Sequence, residues 1–217
     1  MTRPWLILPL LFCFGADCTF ASLVTVVNAT QSLEDNGSGG AIATVNGAGL
    51  GPAGLGGFGT HTGANAHSFL GLSAPPGGPF DFGWLHYDFG SSFSVDRIRL
   101  WNYNQQALLA RGVRDIDIYV SNDSAAFGDE SHSSWSLYGS VDDLPQGPGD
   151  LFNAPYGTEY LFSAQAARFF RFDITDNWGN GVNTALGEVQ FFGTPVPEPA
   201  SALLFATTIG ICFRRRR

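Results

Sequence analysis

WLHYDFGSSFSVDRIRLWNYN, residues 84–104, places its apolar residues two apart: Leu85, Tyr87 and Phe89 share one face, and Ile98 and Leu100 lie opposite Arg97 and Arg99. A period of two is the pattern of a half-buried strand. The device returns in DIDIYVS (115–121), which sets Ile116, Ile118 and Val120 against Asp115, Asp117 and Tyr119. In RFFRFDIT (168–175) Phe170, Phe172 and Ile174 turn inward while Arg171 and Asp173 turn outward, and EVQFFG (188–193) adds Val189 and Phe191. Weaker strands fit SLVTVV (22–27), SWSLYGSV (134–141) and TEYLFS (158–163). No stretch of ten or more residues carries a strong helical period, so seven or eight strands separated by Gly, Pro, Asn and Asp turns predict an all-β fold, a two-sheet antiparallel sandwich or jelly roll.

Outward from these strands the chain changes character. Residues 37–69 are rich in Gly and Ala with almost no charge; such backbone is costly to order, which predicts long loops around a short strand near Ala41–Val45. APPGGP (74–79) is a second breaker. Of 217 residues, 44% are hydrophobic and 14% charged, which is too apolar for a disordered chain, while 28 Gly argue against a helical bundle. The length suits a single domain, and residues 22–194 carry it.

Both ends differ from this domain. Arg3, the apolar run LILPLLFCF (6–14) and the small-x-small site Thr19-Phe20-Ala21 have the order of an export signal peptide, with cleavage expected after Ala21. Cys13 and Cys18 fall in that signal and Cys212 in the tail. The domain therefore has no disulfide, thiol nucleophile or cysteine metal site. Between residues 22 and 194 six arginines face 17 acidic residues, a balance that repels phosphate backbones and disfavours nucleic acid. At the other end, Pro199–Phe213 is nearly all apolar or small and is followed by four arginines. As a helix those 15 residues reach roughly 22 Å, short of the ~30 Å core of a bilayer. The arginines would stay on the cytoplasmic side, leaving the domain outside.

Pro197-Glu198-Pro199, the short hydrophobic segment and the terminal Arg cluster together resemble the PEP-CTERM sorting signal of Gram-negative bacteria, which occupies residues 195–217 here. That resemblance implies an exosortase as partner, transient anchoring in the inner membrane through a transmembrane tail, and transfer to the cell surface or extracellular matrix. The alternative is a plain tail anchor.

The strand order resembles a second family, the discoidin or F5/8 type C domains. It rests on WLHYDFGSSFSVDRIRLWNYN (84–104), RGVRDIDIYVSND (111–123) and ARFFRFDITDNWGNGVNTALGEVQFFG (167–193). A strand ending in Asp-x-Gly, one ending in Trp-Asn, an Arg-bearing strand and a closing Glu-apolar-x-apolar strand come in the family's order. The resemblance implies a galactose-binding-like jelly roll whose loops at one end bind glycans, lipids or protein, commonly with one structural calcium ion. The ion would sit between the turn at Ile42–Gly47, with Asn46 where the family has Asp, and Glu188 on the last strand. Calcium accepts neutral oxygens, but a lost carboxylate weakens a site. Without the ion the same residues read as an Asn-Gly turn beside a Glu at a sheet edge.

For the ligand, Asp176-Asn177-Trp178-Gly179-Asn180-Gly181 is the stretch most like a binding loop. Trp178 offers a flat face to a sugar ring, and Asp176, Asn177 and Asn180 offer hydrogen bonds; otherwise Trp178 caps the sandwich and the Asn and Gly residues make the turn. Asn102 and Asn104 are further loop candidates, whereas Trp101, Trp84 and Trp135 read as packing. Arg97, Arg99, Arg111 and Arg114 would bind acidic glycans if they met at one rim, and otherwise pair with Asp96, Asp115 and Asp117. Nothing nominates an enzyme: His61, His67, His86 and His132 lack metal-ligand spacing, with the first two in the Gly-rich loop, and no Gly-x-Ser-x-Gly elbow occurs. The expectation is an exported surface or matrix protein whose jelly roll binds extracellular polysaccharide or another glycan, or else a structural biofilm component with no specific ligand.

Overall fold

The structure is a computed structural model that describes residues 21–51, 61–62, 64, 67–73, 81–149 and 156–197. Its strands are β1 (Ser22–Val24), β2 (Asn28–Gln31), β3 (Phe69–Leu72), β4 (Trp84–Asn102), β5 (Val113–Ser121), β6 (Ser136–Val141), β7 (Thr158–Asn177) and β8 (Asn183–Pro195). All of these strands pair antiparallel. A helical turn, α1 (Gly40–Ala43), stands where a strand near Ala41–Val45 was expected. Gly40 has φ +67°, and the Ala41 N–H donates to Gln31 Oε1, so the backbone curls against β2 instead of extending.

Two long strands build both layers. The start of β4 pairs with β2 and with the later half of β7, and beyond these lie β5 and β6. Past register shifts between Asp88 and Phe93 and between Val95 and Arg97, the rest of β4 pairs with β8 and with the first half of β7. β1 and β3 lie along β8. The segments expected as separate strands at 84–90 and 93–102 are thus one chain bent at a bulge, where the Gly90 (φ +77°) N–H donates to Asp88 Oδ1 at 2.7 Å, and those expected at 158–163 and 168–175 are likewise the single strand β7. Asp88 is clamped from β7 by Arg168, whose Nε and Nη2 donate to its two carboxylate oxygens at 2.7 and 2.9 Å.

The inward residues read from the alternation fill the space between the layers: Leu85, Tyr87, Phe89, Ile98, Leu100, Ile116, Ile118, Val120, Phe170, Phe172, Ile174, Val189 and Phe191 are all buried in one core. Phe191 of β8 meets Tyr87, Phe89, Phe170 and Phe172 of the facing layer, with ring centroids 5.0–5.8 Å apart. That contact shows a jelly-roll sandwich closed around an aromatic centre.

Candidate functional site

The end of β4, the start of β5, the end of β7 and the start of β8 meet at one end of the sandwich: Asn102 stands opposite Leu186 and bonds Val113 O, and Val113 stands opposite Asn177. β8 then carries the chain away from this end for 13 residues, roughly 40 Å at about 3.3 Å per residue. Its last part pairs with β1, Ser22 opposite Gly193, so the two ends of the domain leave together on the far side.

At the loop end the β7–β8 turn is held from within. Asn177, 3% exposed, donates through Nδ2 to the carbonyls of Asn180 and Asn183, and its Oδ1 accepts from the N–H of Gly179 and Asn180. Asn180 Oδ1 accepts from Val182 and Asn183. Trp178 is half-buried and fixed twice: its backbone N–H donates to Gly112 O at 3.0 Å and its indole N–H to Leu144 O at 2.9 Å. Beside it, the Asp176 carboxylate pairs with Arg114, which also faces Asp115 and Asp143. Trp178, Asp176, Asn180 and Arg114 therefore come together on a partly exposed rim.

Asn102 and Asn104 belong to the frame beneath that rim. Asn102, 1% exposed, donates to the carbonyls of Val113, Leu144 and Pro145 and accepts from Tyr103 N–H, tying the β4–β5 and β6–β7 connections together. Asn104, equally buried, donates to His61 O and accepts from Gly149 N–H. The arginines do not meet at one rim: Arg97 and Arg99 share Glu159 on the outer face of the β8 layer.

Glu188 lies fully buried beside the turn that the sequence pairs with it. Its Oε1 accepts from Gly47 N–H at 2.9 Å, and its Oε2 has no partner. Burial pushes the carboxyl up to about 8, the Gly47 bond opposing only in part. Asn46 Oδ1 is turned into its own loop, accepting from Ala48 N–H. Among the described residues no three His, Cys, Asp or Glu side chains converge as a metal cluster. Glu188 fits a cation through its unpaired oxygen, whereas the Asn46 side-chain oxygen is already engaged within its own loop.

Two histidines were missed by the sequence reading. His61, assigned to an open Gly-rich loop, is buried: Nδ1 bonds Thr62 O at 2.8 Å, and burial lowers the imidazole to about 4. Gly49 makes room for it, since a Cβ there would stand 2.3 Å from His61 Nε2. His86 is buried on the outer face of the five-stranded layer, between Trp84 and Trp135, which pack on it as expected of them.

Pro197 is exposed just past β8. Glu198, Pro199, the apolar segment, the arginines and residues 1–20 lie outside the described residues. No helix among the described residues is long and apolar enough to cross a membrane.

Comparison with solved structures agrees with this architecture. The C-terminal domain of a chitobiase from Bacteroides fragilis superposes with a TM-score of 0.54 at 15% identity, over 81% of this chain and 100% of that one. The chitosan-binding module 1 of a chitosanase/glucanase from Paenibacillus sp. IK-5 gives 0.50 at 19% identity, over 79% and 99%. A truncated AlyQ with CBM32 and alginate lyase domains gives 0.50 at 17% identity over 82% of this chain, which spans only 35% of that larger protein. At these identities the likeness is one of fold, the galactose-binding-like jelly roll. A search of curated protein sequences finds no match. One family model, DUF5000, described as a domain of unknown function, matches residues 62–193, and with more than half its length so covered the chain belongs to that family.

Proposed function

We infer that this is an exported surface or extracellular-matrix protein whose jelly roll binds carbohydrate at the β7–β8 end. The observation that carries the reading is Trp178: a half-buried indole held by two hydrogen bonds, next to the partly exposed Arg114–Asp176 pair. An aromatic face fixed in advance loses little freedom when a sugar ring stacks on it, and the flanking charged groups bond hydroxyls. Support comes from the fold, since one of the similar structures is described as a chitosan-binding module and another as carrying a CBM32 domain beside an alginate lyase domain. The signal-peptide pattern and the Pro197-Glu198-Pro199 tail support export and sorting by an exosortase to the surface of a Gram-negative cell. An attachment through that tail would turn the loop end outward, because the chain leaves the domain at the opposite end of β8.

Calcium belongs to the same proposal. The ion would satisfy the unpaired Glu188 oxygen and rigidify the Gly47 turn.

The test is a glycan-binding screen of residues 22–197 with calcium and with chelator, followed by titration of the best polysaccharide. Saturable retention, weakened at least tenfold by Trp178→Ala with the melting temperature held, is the expected result. Retention that no sugar competes, or that Trp178→Ala leaves unchanged, would replace this reading with that of a structural spacer. The inward use of the Asn102, Asn104 and Asn177 amides would favour that spacer role.

A further inference from the structure

One row of side chains crosses the open face of the five-stranded layer. Ser32 borders Trp84, bonded to it backbone to side chain at 2.8 Å and backbone to backbone at 3.1 Å. Trp84 stands opposite Asp173, Asp173 opposite Asp117, and Asp117 opposite Ser140. All five point away from the core, because their neighbours Leu85, Phe172, Ile174, Ile116 and Ile118 point into it. Adjacent strands lie about 4.8 Å apart, so Trp84 and Asp117 are separated by roughly 10 Å along the row, the length of a disaccharide.

The row is unlike an ordinary solvated face in three respects. First, Trp84 is held as a flat platform: it is half-buried and its ring stacks on the buried His86 with centroids 3.9 Å apart and planes 28° from parallel. His86 Nδ1 accepts from Gly128 N–H at 2.9 Å, while burial and the nearby Arg171 keep the imidazole neutral, so no cation lies under the platform. Second, two carboxylates are placed directly opposite each other, an arrangement that costs stability unless something positive sits between them. Arg171 compensates only in part. Its Nη2 donates to Asp173 Oδ2 at 2.7 Å and its Nη1 to Glu130 O, while Nε makes no hydrogen bond and the guanidinium lies over Tyr119 and Trp135, so no nitrogen of it reaches Asp117. Asp117 has Ser140 Oγ on Oδ1 at 2.6 Å. Third, two buried polar atoms along the row have no partner: Asp173 Oδ1, and His86 Nε2 beneath Trp84.

We propose that this face is a second saccharide site, distinct from the β7–β8 rim, and that it takes a cationic amino sugar: one glucosamine ring of a β-linked polymer lies on Trp84 and the ammonium of the next sits between Asp173 and Asp117. The chemistry decides the class. A neutral sugar would leave the two carboxylates opposed, an acidic one would add a third negative charge, and an ammonium supplies the donors that Asp173 Oδ1 lacks. The proposal does not depend on the loop-end site.

The experiment is calorimetric titration of residues 22–197 with the fully deacetylated glucosamine tetrasaccharide and with its N-acetylated counterpart. Binding of the deacetylated oligomer is expected to be at least tenfold tighter and to weaken with salt. Asp117→Asn and Asp173→Asn, which keep shape and remove charge, should each lower it about fivefold or more, and Trp84→Ala should abolish it. Because Trp84→Ala removes a packed ring, Trp84→Phe, which keeps an aromatic face, is measured beside it and should retain part of the affinity. Equal binding of the two oligomers, or wild-type affinity in both Asp variants, overturns the proposal. Loss in Trp178→Ala with no effect of the Asp variants moves the amino sugar to the loop end, overturning this site and sustaining the first.

Discussion

Glu188 concentrates the electrostatic cost of the fold in one oxygen. Its carboxyl is fully buried, Oε2 has no partner, and desolvation raises it from the ordinary glutamate range to about 8. In the unfolded chain the group ionises near 4.5. Between these values the folded state therefore holds a proton that the unfolded state has lost, so stability declines as pH rises from about 4.5 to about 8 and is flat in this contribution outside that window. A displacement of this size is worth a few kcal/mol. Denaturant titrations of the calcium-free domain should show that decline, and Glu188→Gln, which stays neutral, should flatten it. With calcium present the sign reverses, because the ion needs the carboxylate and releases its proton, so the melting shift produced by calcium should grow with pH. A wild-type curve as flat as that of Glu188→Gln, with no calcium-dependent shift, would remove both the buried ionisation and the ion from the account.

At the scale of elements, legibility followed the period. Segments of β4, β5, β7 and β8 are legible from the alternation of their side chains, and residues 85, 87, 89, 170, 172 and 191 are the ones that meet in the core, although β8 is buried on both faces from residue 183 to 193. What alternation does not carry is continuity: residues 84–90 and 93–102 look like two strands because the bulge interrupts the pattern, although the chain only bends there. The helical turn α1 was hidden in a stretch of Ala, Ile and Val that would suit a strand; a positive φ at Gly40 and a distant acceptor on Gln31 decide it. The candidate site was legible as a location and less so as a set of roles. Asn102 and Asn177 end strands and Asn104 stands in a loop, but which way an amide points depends on backbone groups remote in sequence, such as the Leu144 carbonyl and the Gly149 N–H. A sharper element-level test lies at Gly193, where β8 is flanked by β1 and β4. A Cβ there would stand 2.5 Å from the Ser94 carbonyl oxygen, a backbone atom with no rotamer to yield. Gly193→Ala should destabilise the domain by roughly 1–3 kcal/mol through strain alone, whereas Gly128→Ala, in open space, should show only the smaller cost of its positive φ. Equal effects in urea titrations would mean that β8 is not seated against β4 as described.

For the whole molecule, the sharing of β4 and β7 between layers has a thermodynamic consequence. A sandwich made of two independent sheets can loosen one while keeping the other, but here each layer is completed by halves of the same two strands. The aromatic centre adds a second coupling. Phe191, fully buried on β8, touches rings from β4 and β7 in the opposite layer, so removing it opens a void that both layers line. Phe191→Ala should cost about 3–5 kcal/mol, the scale of a large core ring lost without full collapse. The cost should fall on both layers together: amides of β5, on one side, and of β8, on the other, should lose hydrogen-exchange protection at the same denaturant concentration, in the variant as in the wild type. Separation of the two sets, with β8 exchanging while β5 stays protected, would mean that the layers are thermodynamically distinct. The binding rim, built from both through Asn102 and Trp178, could then not be the preorganised surface that the proposed function requires.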